Sequence, residues 1–128
     1  MFRLSVLLPL LLLLGCDNFA EPRSTGGLAL IPVESAYERG EVAEARLVNG
    51  SDGAVGYNLC LVMWDLRVDG QWQRVVPLRM CPQAVYVLAP GAEVLLQETI
   101  DDSWQPGTYR FVLDVHPVGR EGRSITVI

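Results

Sequence analysis

The stretch Met63-Trp64-Asp65-Leu66-Arg67-Val68-Asp69-Gly70-Gln71-Trp72-Gln73-Arg74-Val75 decides the fold. Asp-Gly is the pair a two-residue type I′ hairpin turn favours, because both central positions need positive φ. With Asp69-Gly70 as the loop, Val68 faces Gln71, Arg67 faces Trp72 and Asp65 faces Arg74. One face then carries an arginine on an indole and an opposite-charge pair, each contributing a few tenths of a kcal/mol to ~1 kcal/mol. A four-residue loop would keep the same pairings.

Working outward, short apolar or alternating segments recur between Gly, Pro, Asn and Asp clusters, as in an all-β sandwich. Strands are predicted over 28–34, 41–49 and 56–68 before the hairpin, then 84–88, 93–100, 108–115 and 124–128. In the second, Ala43, Ala45 and Leu47 point one way and Glu44 and Arg46 the other. The third is read as one long strand, with Tyr57, Leu59, Leu61 and Met63 on one face and Cys60, Val62 and Trp64 on the other. Tyr109, Phe111, Leu113 and Val115 share a face late in the chain. Asn49-Gly50-Ser51-Asp52-Gly53, Ala89-Pro90-Gly91 and Pro106-Gly107 are turn signals. The polar sequence is so sparse that nearly every apolar residue is expected in the core, leaving no exposed apolar patch.

At the N-terminus, Leu13-Leu14-Gly15-Cys16 resembles a bacterial lipobox. Arg3, the apolar run Leu4 to Leu14 and the small Gly15 make the three parts of an export signal. About eleven apolar residues are too few to cross a bilayer, which needs about twenty. The resemblance implies that residues 1–15 are a lipoprotein signal peptide, removed by a peptidase that cuts before an acylated Cys16. Two or three acyl chains, at ~0.8 kcal/mol per buried CH₂, would anchor the chain in membrane lipid. In enteric bacteria an aspartate at the position of Asp17 goes with retention in the inner membrane. Residues 16–27 read as the lipidated end and a tether, of which 17–27 span at most ~35 Å. Residues 28–128 form one domain. The expected location is the cell envelope: the periplasmic face of either membrane, or the cell surface.

Ten arginines, no lysine and fifteen carboxylates give a net charge of −5. Losing Arg3 with the leader moves it one further, to −6. An acidic domain without a basic stripe argues against nucleic acid as a partner. The missing lysine excludes Schiff-base chemistry and a P-loop. With Cys16 acylated, Cys60 and Cys81 remain, and in an exported domain they most simply form a disulfide. The rival readings are a metal pair or a reactive thiol, although two thiols and His116 fall short of the four ligands of structural zinc.

The runs Tyr37-Glu38-Arg39-Gly40-Glu41, Asn49-Gly50-Ser51, Leu88-Ala89-Pro90-Gly91 and Pro106-Gly107-Thr108-Tyr109-Arg110, with Trp72, resemble a family of bacterial immunoglobulin-like domains. The likeness covers 28–128 and implies a single β-sandwich of about seven or eight antiparallel strands. Tyr109 stands where such folds place a tyrosine corner. Cys60 and Cys81 depart from the antibody pattern, whose bridge joins strands B and F. A looser likeness is to the bacterial intracellular proteinase inhibitor, another β-sandwich, and neither family carries catalytic residues onto this chain.

No catalytic set emerges from the residues themselves. His116, the sole histidine, would have to be the base of any triad, and no Gly-x-Ser-x-Gly elbow accompanies it. Asp101-Asp102-Ser103 lacks the spacing of a calcium loop. Asn49-Gly50-Ser51 matches a glycosylation sequon and reads as a turn. Trp64 is assigned to the core, and Trp72 and Trp104 to an outer or loop surface that could meet a partner. The chain is therefore expected to be a non-enzymatic envelope lipoprotein needing neither cofactor nor metal, binding an envelope protein or glycan or giving structural support. The alternative is a protease inhibitor presenting residues 101–107 or 117–123.

Overall fold

The computed structural model describes residues 26–119 and 124–128. The leader, Cys16 and most of the tether lie outside them, as do residues 120–123. The described chain is all-β: β1 (Leu28–Pro32), β2 (Val42–Asn49), β3 (Val55–Tyr57), β4 (Met63–Val68), β5 (Gln71–Val75), β6 (Tyr86–Leu88), β7 (Glu93–Thr99), β8 (Tyr109–Pro117) and β9 (Ile125–Val127). Two antiparallel sheets form, one ordered β1-β2-β7, the other built on β8 with β4 and β5, β3 and β6, and β9. The core cluster draws Leu28, Leu30, Ala45, Leu47 and Leu96 from the first sheet and Val55, Leu88, Leu113, Val115 and Val127 from the second. It is the shared filling of a sandwich-like pair of sheets.

The hairpin forms as its sequence predicts. Val68 pairs with Gln71, Arg67 with Trp72 and Asp65 with Arg74. Asp69 and Gly70 take φ of 48° and 76°, the positive values a type I′ turn requires. In β2 the alternation also holds, with Ala43, Ala45 and Leu47 buried. After Ala89-Pro90, Gly91 has φ 76° and the Ala92 N–H returns to the Ala89 carbonyl at 3.1 Å, closing a type II turn.

The predicted strand 56–68 is broken. Its ends are β3 and β4, and a 3-10 turn at Leu59–Leu61 interrupts them. Both halves pair antiparallel with β8, at Gly56↔His116 and Met63↔Val112, so residues 57–62 pass while β8 advances over 113–115. The cause is Asn58. Its side-chain oxygen accepts the Cys60 N–H at 3.1 Å, offering the backbone a partner other than the ladder. Its amide nitrogen also donates to the Pro82 carbonyl at 2.9 Å. The split adds a ninth strand to the eight expected. Leu61, assigned to a strand face, is exposed as a result.

Cys60 and Cys81 are joined in a disulfide with Cα atoms 5.7 Å apart. The bridge closes a loop of sequence separation 21, worth ~3 kcal/mol in the chain-entropy model. It ties the 3-10 turn to the segment between β5 and β6.

Asn49, at the end of β2, is fully buried. Its amide nitrogen donates to the carbonyls of Gly53 and Leu88, at 2.9 and 3.0 Å. Its side-chain oxygen accepts from the Ser51 backbone N–H and hydroxyl. One side chain thus holds the 49–53 loop against the end of β6, and the sequon asparagine is a structural turn residue. The entry to β1 is pinned at the same place. The Gly50 N–H donates to the Gly27 carbonyl at 2.7 Å, and a Cβ on Gly50 would lie 2.9 Å from that oxygen.

Candidate functional site: the β8 groove and the Trp72 face

Two surfaces carry the functional residues the sequence pointed to. The first is the outer face of β4, β5 and β8. Cross-strand pairing places Asp65 between Arg74 and Arg110. Asp65 accepts from Arg74 Nε and, at 2.9 Å, from Arg110 Nε, with its side chain only 3% exposed. Burial pushes its carboxyl upward, but hydrogen bonds and charge from the two guanidinium groups outweigh it and hold the pKa below the ordinary value. The same bond to Asp65 raises the Arg74 pKa. Trp72 lies beside this pair, with the Arg110 guanidinium 4.4 Å and that of Arg67 5.5 Å from its ring centre. Val112 shares the face and is still fully buried, as expected beneath long arginine stems. Trp72 keeps 36% of its surface, yet its ring already serves two cations.

Trp104 departs from expectation. It does stand in a loop, but it is 8% exposed and stacks on Trp64 at 4.2 Å, with Tyr109 at 4.8 Å. Apolar rings gain more from each other than from water, and the loop curls to bring them together. Asp101 helps it turn: its carboxylate accepts the Ser103 N–H at 2.8 Å, and bonds from Ser103 lower its pKa. The Trp104 N–H then returns to the Asp101 carbonyl at 3.2 Å. Of residues 101–107 only Trp104 is drawn inward and the other six are exposed. The second proposed inhibitory loop, 117–123, lies partly outside the described residues. His116 is exposed on β8. No group of three or more His, Cys, Asp or Glu side chains converges among the described residues.

The second surface was not foreseen. A groove of about 990 Å³ opens at one end of the sheets, between the β1–β2 connection and the start of β8. Ile31, Ala36, Ile100, Trp104, Tyr109 and Phe111 give it an apolar lining, with Glu34, Glu38 and Arg39 among its polar residues. Its frame is hydrogen-bonded. The Tyr37 hydroxyl bonds the Glu34 N–H and both backbone groups of Glu44. Arg39 Nη2 donates to the Trp104 carbonyl at 3.1 Å, linking the two walls. The Tyr109 hydroxyl donates to the Gln105 carbonyl at 2.6 Å.

The backbone of β8 adds a second property. The Arg67 N–H donates to the Thr108 carbonyl, and the Val118 N–H to that of Ala54. Even-numbered residues of this strand therefore turn their backbone groups toward β3 and β4, and odd-numbered ones toward the opposite edge. On that edge β9 pairs only with Leu113–Val115. The N–H and C=O of Tyr109 and Phe111 face the same edge of β8 as β9, and both residues line the groove. Among the described residues no strand pairs with them there.

No known protein family, curated protein or solved structure matches this chain.

Proposed function

We propose that this chain is a bacterial lipoprotein, anchored through acylated Cys16, whose mature part is a non-enzymatic immunoglobulin-like domain that binds an extended segment of an envelope protein. The lipobox supports the anchor. The strand arrangement supports the immunoglobulin-like type. With β1, β2 and β7 as strands A, B and E, β3 and β4 as an interrupted C, β5 as C′, and β8 and β9 as F and G, these eight lie in the sheets that fold assigns them. β6 pairs with β3 and takes the place of neither D nor C″. The bond from Tyr109 to Gln105 has the form of a tyrosine corner at the start of strand F.

The observation that carries the binding role is the apolar, aromatic-lined groove between the β1–β2 connection and the start of β8. An extended segment laid in it would place alternate side chains on the aromatic lining. Ala36 is exposed and lines the groove, so a photo-crosslinking residue there tests the reading in the cells that make the protein. The expected result is one or a few discrete protein adducts, absent when the same probe stands at exposed Gln97 on β7. Equal labelling from both positions, or none from Ala36, would overturn it.

A further inference from the structure

The apolar residues do not all enter the core. Val76, Leu78, Met80, Val85, Tyr86 and Val87 are 64%, 104%, 99%, 71%, 54% and 61% exposed. Single exposed apolar residues need no explanation, but a cluster within one short segment does. The segment is not loose. Arg79 grips Glu98 through both carboxylate oxygens, at 3.0 and 3.1 Å, and lies over Trp64. Cys81 is held by the disulfide and Pro82 by Asn58. With Arg79 and Cys81 tied down, Met80 between them and Leu78 before them stand outward. The structure builds a stapled strap that displays apolar side chains.

Its charge is also distinctive. From Gly70 to Ala92 there is no carboxylate, in a chain that carries fifteen. Arg74 and Arg79 are each neutralised by a residue from outside the stretch. The strap itself therefore carries no carboxylate to repel an anionic surface, and Glu98 beside it is paired with Arg79. Its position adds a further constraint. The chain enters the fold at Gly27, pinned to Gly50, and Asn49 bridges that same loop to Leu88 at the end of β6. Tyr86 and Val87 thus sit toward the point where the tether leaves. Arg79, between Leu78 and Met80, is fixed to Glu98, which pairs with Ala43 toward the groove end of β7. The strap therefore runs along the sandwich from one end to the other. Residues 17–27 span at most ~35 Å, comparable with the diameter of a domain this size, whose radius of gyration is ~13 Å.

We propose that the strap Val76–Val87 is a membrane-docking face, seating Leu78, Met80 and Val85 at the headgroup–acyl boundary of the bilayer that holds Cys16. This rests on the anchored reading above. It gives the anchored domain a fixed orientation, lying with the strap's side of the sandwich along the bilayer. β1 runs from the tether exit at Leu28 to Pro32 at the groove, so the groove opens at the end away from the tether.

The test uses the mature chain carrying Cys16→Ser, so that no acyl group contributes, floated with vesicles of equimolar phosphatidylethanolamine and phosphatidylglycerol. The expected result is measurable vesicle binding that falls by at least about tenfold in Leu78→Asp/Met80→Asp, since two apolar groups are lost and two charges added. Both side chains are fully exposed, so the variant should melt like its parent. Equal binding of parent and variant, or none by either with lipid in excess, would overturn the proposal. So would a concentration-dependent dimer, lost in the variant, without vesicle binding: the strap would then meet a second copy. Acylation is read separately from the mass of the natural chain, so an acylated protein whose Cys16→Ser form ignores vesicles refutes the docking face alone.

Discussion

Replacing Asp65 with asparagine removes the charge at the centre of the hairpin face while nearly keeping its shape. Asp65 receives two charge-assisted hydrogen bonds, from Arg74 and Arg110, and its side chain is 3% exposed. Bonds of that kind are worth ~1.5–3 kcal/mol each, and breaking a buried pair costs ~3–5 kcal/mol. The arginine side chains retain 44% and 31% of their exposure, so water recovers part of the loss. The expected cost is ~2–3 kcal/mol at neutral pH, or roughly 10–20 °C in Tm for a domain of this size. Urea denaturation of both proteins across pH is the assay. The folded-state pKa of Asp65 lies below its unfolded value. Its contribution is therefore complete above about pH 4 and is lost as pH falls through the lower folded-state pKa. The gap between parent and Asp65→Asn should be open at neutral pH and narrow progressively on acidification below about pH 4. A gap unchanged by acid, or smaller than ~0.5 kcal/mol at neutral pH, would refute the role assigned to this ion pair.

Three other substitutions test the frame. Asn49→Ala should cost ~3 kcal/mol by urea denaturation, because it orphans backbone groups in the 49–53 loop and at Leu88; a loss under ~1 kcal/mol would count against its role as a hub. Tyr109→Phe removes only the hydroxyl bond to Gln105 and should lower stability by ~1 kcal/mol, with the fold unchanged by circular dichroism. Cys60→Ser/Cys81→Ser should lower stability by ~3 kcal/mol, and the oxidised parent should show no thiol at these two positions before or after unfolding.

Much of the framework was legible because its signals are local. Asp69-Gly70 has one favoured hairpin geometry, and the pairings of Asp65 and Arg67 follow from it. Asn49-Gly50-Ser51 and Pro90-Gly91 fall at turns for equally local reasons. The break in the third strand had a readable cue in Asn58, a residue that competes with the ladder, but its consequence depended on Pro82, distant in sequence. For Trp104 a loop position was no guide to exposure, because Trp64 and Tyr109 supply its partners from β4 and β8. The apolar strap escaped notice because hydrophobicity carries no address. Pro77 and Pro82 lack the N–H a ladder needs, and the segment between β5 and β6 runs outside both sheets. The groove was illegible altogether, because its walls come from segments distant in sequence, the β1–β2 connection and the start of β8.

The intact mass of the protein extracted from its native membranes tests the anchored reading most directly. The account predicts a chain beginning at Cys16, carrying two or three acyl chains and lacking the two hydrogens of the Cys60 and Cys81 thiols. A chain that retains residues 1–15, or a released domain beginning at Cys16 without lipid, would contradict it.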